Sequence, residues 1–324
     1  MQHYSMVLKS CLDQAVLVRP RHIALAVAVM AIWGVNFVAI ETGLDHFPPL
    51  MFNALRFTLA AFPALFFVGR PQVPWRWVVA TGLILGVIKF TLPFAGMAAG
   101  MPAGLSSLVL QSQPIFTVLF AAVLLRERPR HFQVIGLVVA MTGIAVVATG
   151  MTAGLGAFLL IIGAAAAWGL SNIVTRKAAP PDTLRFMVWA SAVASGPLVV
   201  LSLLFDGPST DLAALRAING QAILAVLYVA LLSTLGGFAA WGFLLRRYGA
   251  ATVAPFSMLV PFFGLASAAV LLGEQITTID VLGGALVVGG ILLGLTRAKS
   301  PAPTFASAAP TVRASDGSPA CQGR

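Results

Sequence analysis

From Ile23 to Leu295 the sequence divides, almost without remainder, into apolar stretches of about 20 residues, the length at which an α-helix crosses ~30 Å of hydrocarbon. This constrains the fold more than any motif. In lipid the protein itself must satisfy every backbone N–H and C=O, and only helices and closed barrels do so. The polar-in, apolar-out alternation of a barrel is absent, so the sequence reads as an all-α integral membrane protein. Ten transmembrane helices are predicted, at 23–42, 49–68, 76–97, 103–124, 132–149, 155–175, 184–204, 221–245, 251–272 and 278–296. Only 9% of residues are charged and the mean hydropathy is +0.95, against about 25% charged in soluble domains.

A net charge of +10 on a soluble chain would suggest a nucleic-acid partner. Here the basic residues sit in short loops, where they set orientation instead, and no nucleic-acid binding is expected. With these spans, 17 of the 20 Lys and Arg fall on one side, Arg216 falls on the other, and Arg56 and Lys89 lie within spans. Both termini are therefore expected in the cytosol, and the first 22 residues, lacking a cleavage signal, as a cytoplasmic N-terminal segment. Cys11 and Cys321 fall in the two tails, where a reducing compartment makes a disulfide unexpected. Residues 297–324, rich in Pro, Ala and Ser, read as a disordered cytoplasmic tail.

The chain repeats itself. "PIFTVLFAAVLLRE" (114–127) returns as "PFFGLASAAVLLGE" (261–274), with eight of fourteen positions identical. Gly136 and Gly143 return as Gly283 and Gly290 at the same offset of 147, and Trp33-Gly34 returns as Trp168-Gly169 at 135. Two five-helix repeats follow, 23–149 and 155–296. Five is odd, so the second copy enters the membrane from the opposite side: a 5+5 inverted repeat. The charges agree, since "RERPRH" follows span 4 while "GEQITTID", after span 9, has no basic residue. Inverted repeats are typical of secondary transporters, whose two halves exchange inward-open and outward-open forms around a midplane site. No P-loop is present for direct ATP drive, and no cofactor or metal is implied.

The stretches "WGVNF", "PPLMFNALRF", "RPQVP", "GMPAGLSSLVLQSQPIFTVLF", "WGFLLRRY" and "APFSMLVPFFGLASAAVLLGE" together resemble the EamA family of the drug/metabolite transporter superfamily, over residues 21 to about 296. Within that family the likeness is to its O-acetylserine and cysteine exporters. It implies a ten-helix carrier of the bacterial inner membrane that exports small amino-acid-type metabolites. It also implies a neutral polar residue where this chain has Lys89.

Ionisable groups inside a bilayer cost about 2.5–3.5 kcal/mol at a helix centre, so Lys89 and Arg56 are the first candidates for substrate binding. Lys89 lies roughly 20 Å from the cytoplasmic end of span 3 at 1.5 Å per residue. Arg56 is about two turns into span 2. Both offer positive charge to a substrate carboxylate, Arg as a fork and Lys as a point charge; alternatively, Arg56 pairs with Glu41 or Asp45 at the rim. Asn36, Asn172, Trp33, Trp168, Gln111 and Gln113 complete the candidate set. For these the competing reading is helix–helix packing, and the same holds for Asn53, Ser171 and Trp241. Glu127 and Glu274 read as boundary residues that cap helices or pair with local arginines.

Three other classes compete with an amino-acid exporter. A drug or other metabolite exporter would share the whole architecture. A membrane-embedded enzyme would need a nucleophile or metal cluster, and H-E-x-x-H and G-x-S-x-G are both missing. A channel would need a ring of filter residues, and none is evident. Proton coupling would be a common energy source, although no midspan carboxylate stands out as its carrier. The Gly290-x-x-x-Gly294 pattern suits a homodimer contact as well as one inside the bundle.

Overall fold

The computed structural model describes residues 18–150 and 153–295; the readings of the N-terminal segment, of both cysteines and of the 297–324 tail fall largely or wholly outside them. The helices are α1 (Pro20–Leu44), α2 (Pro49–Val68), α3 (Trp75–Ala98), α4 (Ala103–Leu124), α5 (His131–Gly150), α6 (Leu155–Ala178), α7 (Thr183–Asp206), α8 (Pro208–Arg216), α9 (Gly220–Tyr248), α10 (Ala254–Leu272) and α11 (Thr278–Leu295). Ten of them match the ten predicted spans one for one. The short α8, in the 206–220 loop, was not foreseen. No strand occurs among the described residues.

Local chemistry sets the helix ends. Pro20, Pro49 and Pro208 occupy first turns, where a missing N–H costs nothing. The Asp182 carboxylate accepts the Arg185 N–H at 3.1 Å to start α7, and Asn219 Oδ1 accepts the Ala222 N–H at 2.9 Å to start α9. Gly249 and Gly273, with φ of +78° and +71°, follow the ends of α9 and α10, a conformation that glycine adopts without penalty. Between the ends the helices are apolar all round, and Phe66, Phe67 and Val270 are each about 80% exposed or more. Such a surface belongs in lipid.

The two repeats pack as a pseudo-two-fold pair. Helices α5 and α11 cross on glycines: a Cβ built on Gly290 would lie 2.5 Å from the Gly136 carbonyl oxygen, and one on Gly143 would lie 2.7 Å from that of Gly283. Exchanging the repeats converts one contact into the other. The same exchange relates Gly34 of α1, seated on Phe263 and Gly264 of α10, to Gly169 of α6, seated on Phe116 and Thr117 of α4. Gly283, Gly284, Gly290 and Gly294 thus meet neighbours within the bundle. They let backbones approach closely where apolar burial drives no association.

Two pairs of irregular turns obey the same relation, whereas a further π segment, Ser202–Asp206 at the end of α7, has no counterpart in the first repeat. α3 is a π-helix over Gly82–Lys89, and α9 over Tyr228–Gly236, in register at the 147 offset. α4 tightens to a 3₁₀ turn at Leu110–Ser112, and α10 does so at Ala254–Leu259. π segments leave carbonyls with displaced partners and mark functional positions in many helices. The paired two lie in the third helix of a repeat.

Candidate substrate-binding site

Lys89 ends the π segment of α3 and is 4% exposed; Arg56, on α2, is 2% exposed. The fold places both on one aromatic ring. The Arg56 guanidinium carbon lies 4.1 Å from the centre of Phe90, and Lys89 Nζ lies 3.4 Å from the same centre and 4.3 Å from that of Trp168 on α6. Aromatic faces attract cations by about 0.5–2 kcal/mol, which eases burial without neutralising charge. Arg56 Nε donates to Thr234 Oγ1 at 3.0 Å, within the π segment of α9, while its NH1 is buried with no hydrogen-bond partner. Thr234 Oγ1 in turn donates to the Val229 carbonyl at 2.7 Å. Pairing of Arg56 with Glu41 or Asp45 does not occur; the ion pairs among the described residues are Arg176–Glu127 and Arg185–Asp182.

Asn53 lies one turn before Arg56 on the same face of α2. Its amide donates to Thr91 Oγ1 at 3.0 Å and to the Gly86 carbonyl at 3.4 Å, which leaves Oδ1 buried and unpartnered. One free acceptor therefore lies among the residues flanking the two cations.

The other candidates separate into distinct groups. Asn172 donates to Gln113 Oε1 at 2.8 Å and to Thr117 Oγ1 at 3.1 Å, tying α6 to α4. Gln111 donates to the Ser257 carbonyl at 3.0 Å, joining the two 3₁₀ turns. Trp33 donates to the Ser233 carbonyl at 3.0 Å and packs on Phe238 and Trp241 of α9. Asn36 is buried with Oδ1 unpartnered. Lys89 and Arg56 are thus gathered on Phe90, with Trp168 against Lys89, whereas Asn172, Gln113, Gln111 and Trp33 have polar atoms engaged in holding helices together. Sequence reasoning missed Phe90 and Thr234. An aromatic residue directly after a midspan lysine was the available signal for the first; nothing local marked the second.

The pseudo-symmetry breaks at this point. By the 147 offset Gly236 and Gly237 stand where the first repeat has Lys89 and Phe90. A Cβ on Gly237 would lie 2.5 Å from Nε1 of Trp33, the counterpart of Trp168. One repeat presents two cations on a ring, and the other presents bare backbone to a tryptophan.

Ten membrane-crossing helices in two repeats, with buried polar groups gathered at the irregular turns, define a multi-pass membrane transporter rather than an enzyme. The EamA-like transporter family matches the chain twice, over residues 21–149 and 155–296, and the chain belongs to it. A probable amino-acid metabolite efflux pump of Escherichia coli (strain K12) is 39% identical over 84% of this chain and 93% of that protein. A protein of the same description from Salmonella typhimurium (strain LT2) is equally similar. A probable terminal-alkyne amino-acid exporter of Streptantibioticus cattleyicolor is 28% identical over 82% of this chain and 91% of its own. One solved crystal structure, 19% identical, aligns with a TM-score of 0.59 over 85% of this chain and 96% of the other; it shares the fold.

Proposed function

We propose that this transporter exports amino-acid-type metabolites, such as O-acetylserine or cysteine, from the cytosol across the bacterial inner membrane by alternating access, reading the substrate carboxylate with Arg56 and Lys89. One observation carries the assignment: two buried cations share the Phe90 ring, with no acidic partner among the described residues. A buried unpaired charge is costly, and a bound carboxylate or water in an aqueous cavity relieves that cost. The names of the relatives from Escherichia coli and Streptantibioticus cattleyicolor support the substrate class. Counterflow of labelled cysteine or O-acetylserine in proteoliposomes tests the reading; a protein that moves cationic drugs and neither amino acid refutes it.

Alternating access is supported by the unequal use of the two equivalent glutamates. Glu274 accepts the N–H groups of Ala103 at 2.7 Å and Gly104 at 3.0 Å, capping α4 from the α10–α11 loop. A carboxylate on a helix N-terminus makes charge-assisted bonds and meets the positive end of the dipole. Its counterpart Glu127 instead forms a two-pronged pair with Arg176 of α6. The cap fastens one end of the bundle, and its equivalent at the other end is engaged elsewhere. Glu274→Gln is expected to raise the labelling rate of a cysteine at the buried Ala103 several-fold, while leaving that of one at the exposed Ala99 unchanged.

In the proposed orientation both termini are cytoplasmic, and the α3–α4 loop and α8 face outward. Cysteines at Ala99 and Thr210, both exposed, should react with impermeant thiol reagents added to intact cells. Labelling only after lysis would reverse the topology.

A further inference from the structure

Charge counting at the cation pair constrains the substrate further, on the export reading given above. Arg56 and Lys89 lie 4.1 Å and 3.4 Å from one ring centre, so their charged atoms are at most 7.5 Å apart. Arg56 NH1 is unpartnered, and the contacts of Lys89 Nζ are the faces of Phe90 and Trp168. Two donors of like charge therefore await acceptors, within a distance that the two carboxylates of a four- or five-carbon diacid can cover. The acids near the span ends lie elsewhere: Glu41, near the end of α1, makes no ion pair with either cation. Asp280 is bonded to Thr277 at the start of α11, and Asp206 accepts the Met51 N–H. A zwitterion with one carboxylate brings no net charge to this pair and sets its ammonium beside two cations. A second carboxylate reduces that mismatch: a diacid without an ammonium cancels both charges, and an acidic amino acid cancels one.

We infer that the preferred substrate is a net anion with two carboxylates, one on Arg56 and one on Lys89. Asn53 Oδ1 is the acceptor for an ammonium group where the diacid is an acidic amino acid. The second repeat, with Gly236 and Gly237 at the equivalent positions, adds no competing cation.

Ligand-induced thermal shifts of the purified, detergent-solubilised full chain test this, using L-aspartate, succinate, L-cysteine and O-acetyl-L-serine as probes. Aspartate and succinate are expected to bind at least about 10-fold more tightly than the two monocarboxylates, the equivalent of one charge-assisted contact. Lys89→Met and Lys89→Gln should each bring that ratio close to one. Asn53→Leu should weaken aspartate and spare succinate if the ammonium sits on Oδ1; equal effects on both would move the ammonium elsewhere and overturn that part. Wild-type protein that binds cysteine or O-acetylserine as tightly as the diacids, or a preference that survives both Lys89 variants, would overturn the two-carboxylate inference and leave the amino-acid export reading standing. Binding of none of the four probes would defeat both.

Discussion

Arg56→Met is expected to lower transport efficiency for carboxylate substrates by roughly 100-fold, read as initial counterflow rate over apparent Km in proteoliposomes. That loss corresponds to one charge-assisted hydrogen bond to a buried group, up to about 3 kcal/mol, at 1.4 kcal/mol per factor of ten. Met keeps the apolar stem on Phe90 and removes the donors. Arg56 also bridges α2 to α9 through Thr234, so Thr234→Val is the necessary comparison: it deletes the bridge and leaves the charge. Thr234→Val should cost far less than Arg56→Met. Equal losses would make Arg56 a strut between helices, and the assignment of NH1 to substrate would fall. Arg56→Lys retains charge without the fork and should be intermediate.

Gly136→Leu is expected to abolish recovery of folded protein, read by size-exclusion profile and thermal stability after solubilisation. The neighbours that a side chain would meet are the Gly290 carbonyl oxygen and the Gly294 N and Cα, all backbone, so no rotamer change relieves the clash. Overpacking that side chains can absorb costs about 1–3 kcal/mol. Here α5 and α11 must separate along the axis that joins the two repeats. Gly289, next to Gly290 on α11, faces open space, with nothing within 4 Å of where a Cβ would stand, so Gly289→Leu should be nearly neutral. A Gly136→Leu protein as stable as Gly289→Leu would show that the crossing is looser than its backbone contacts imply.

The ten spans and the repeat were legible because hydrocarbon imposes a local rule, in which each crossing segment satisfies its own backbone and stays apolar for a fixed length. The glycines showed that helices approach closely. They did not show that Gly136 meets Gly290 and Gly143 meets Gly283, because small-residue patterns suit a contact with any neighbour.

The site was legible only in part. Lys89 and Arg56 stood out as charges in an apolar field. The amides did not sort themselves: Asn172, Gln111 and Gln113 look the same in sequence as Asn53, yet the first three make contacts between helices and the last keeps a free acceptor. Whether an amide is engaged depends on which helix lies opposite, and the sequence of its own helix does not specify that.

By itself the sequence determined that this chain lives in a membrane, crosses it ten times as two copies of one five-helix unit, and buries two cations, since each is enforced residue by residue by the cost of polarity in lipid. The tertiary structure alone decided that those cations share Phe90, that Thr234, 178 residues from Arg56, holds the guanidinium, and that the second repeat answers with glycine. These are contacts between segments distant in the chain, and no local pattern encodes which face of one helix meets which neighbour.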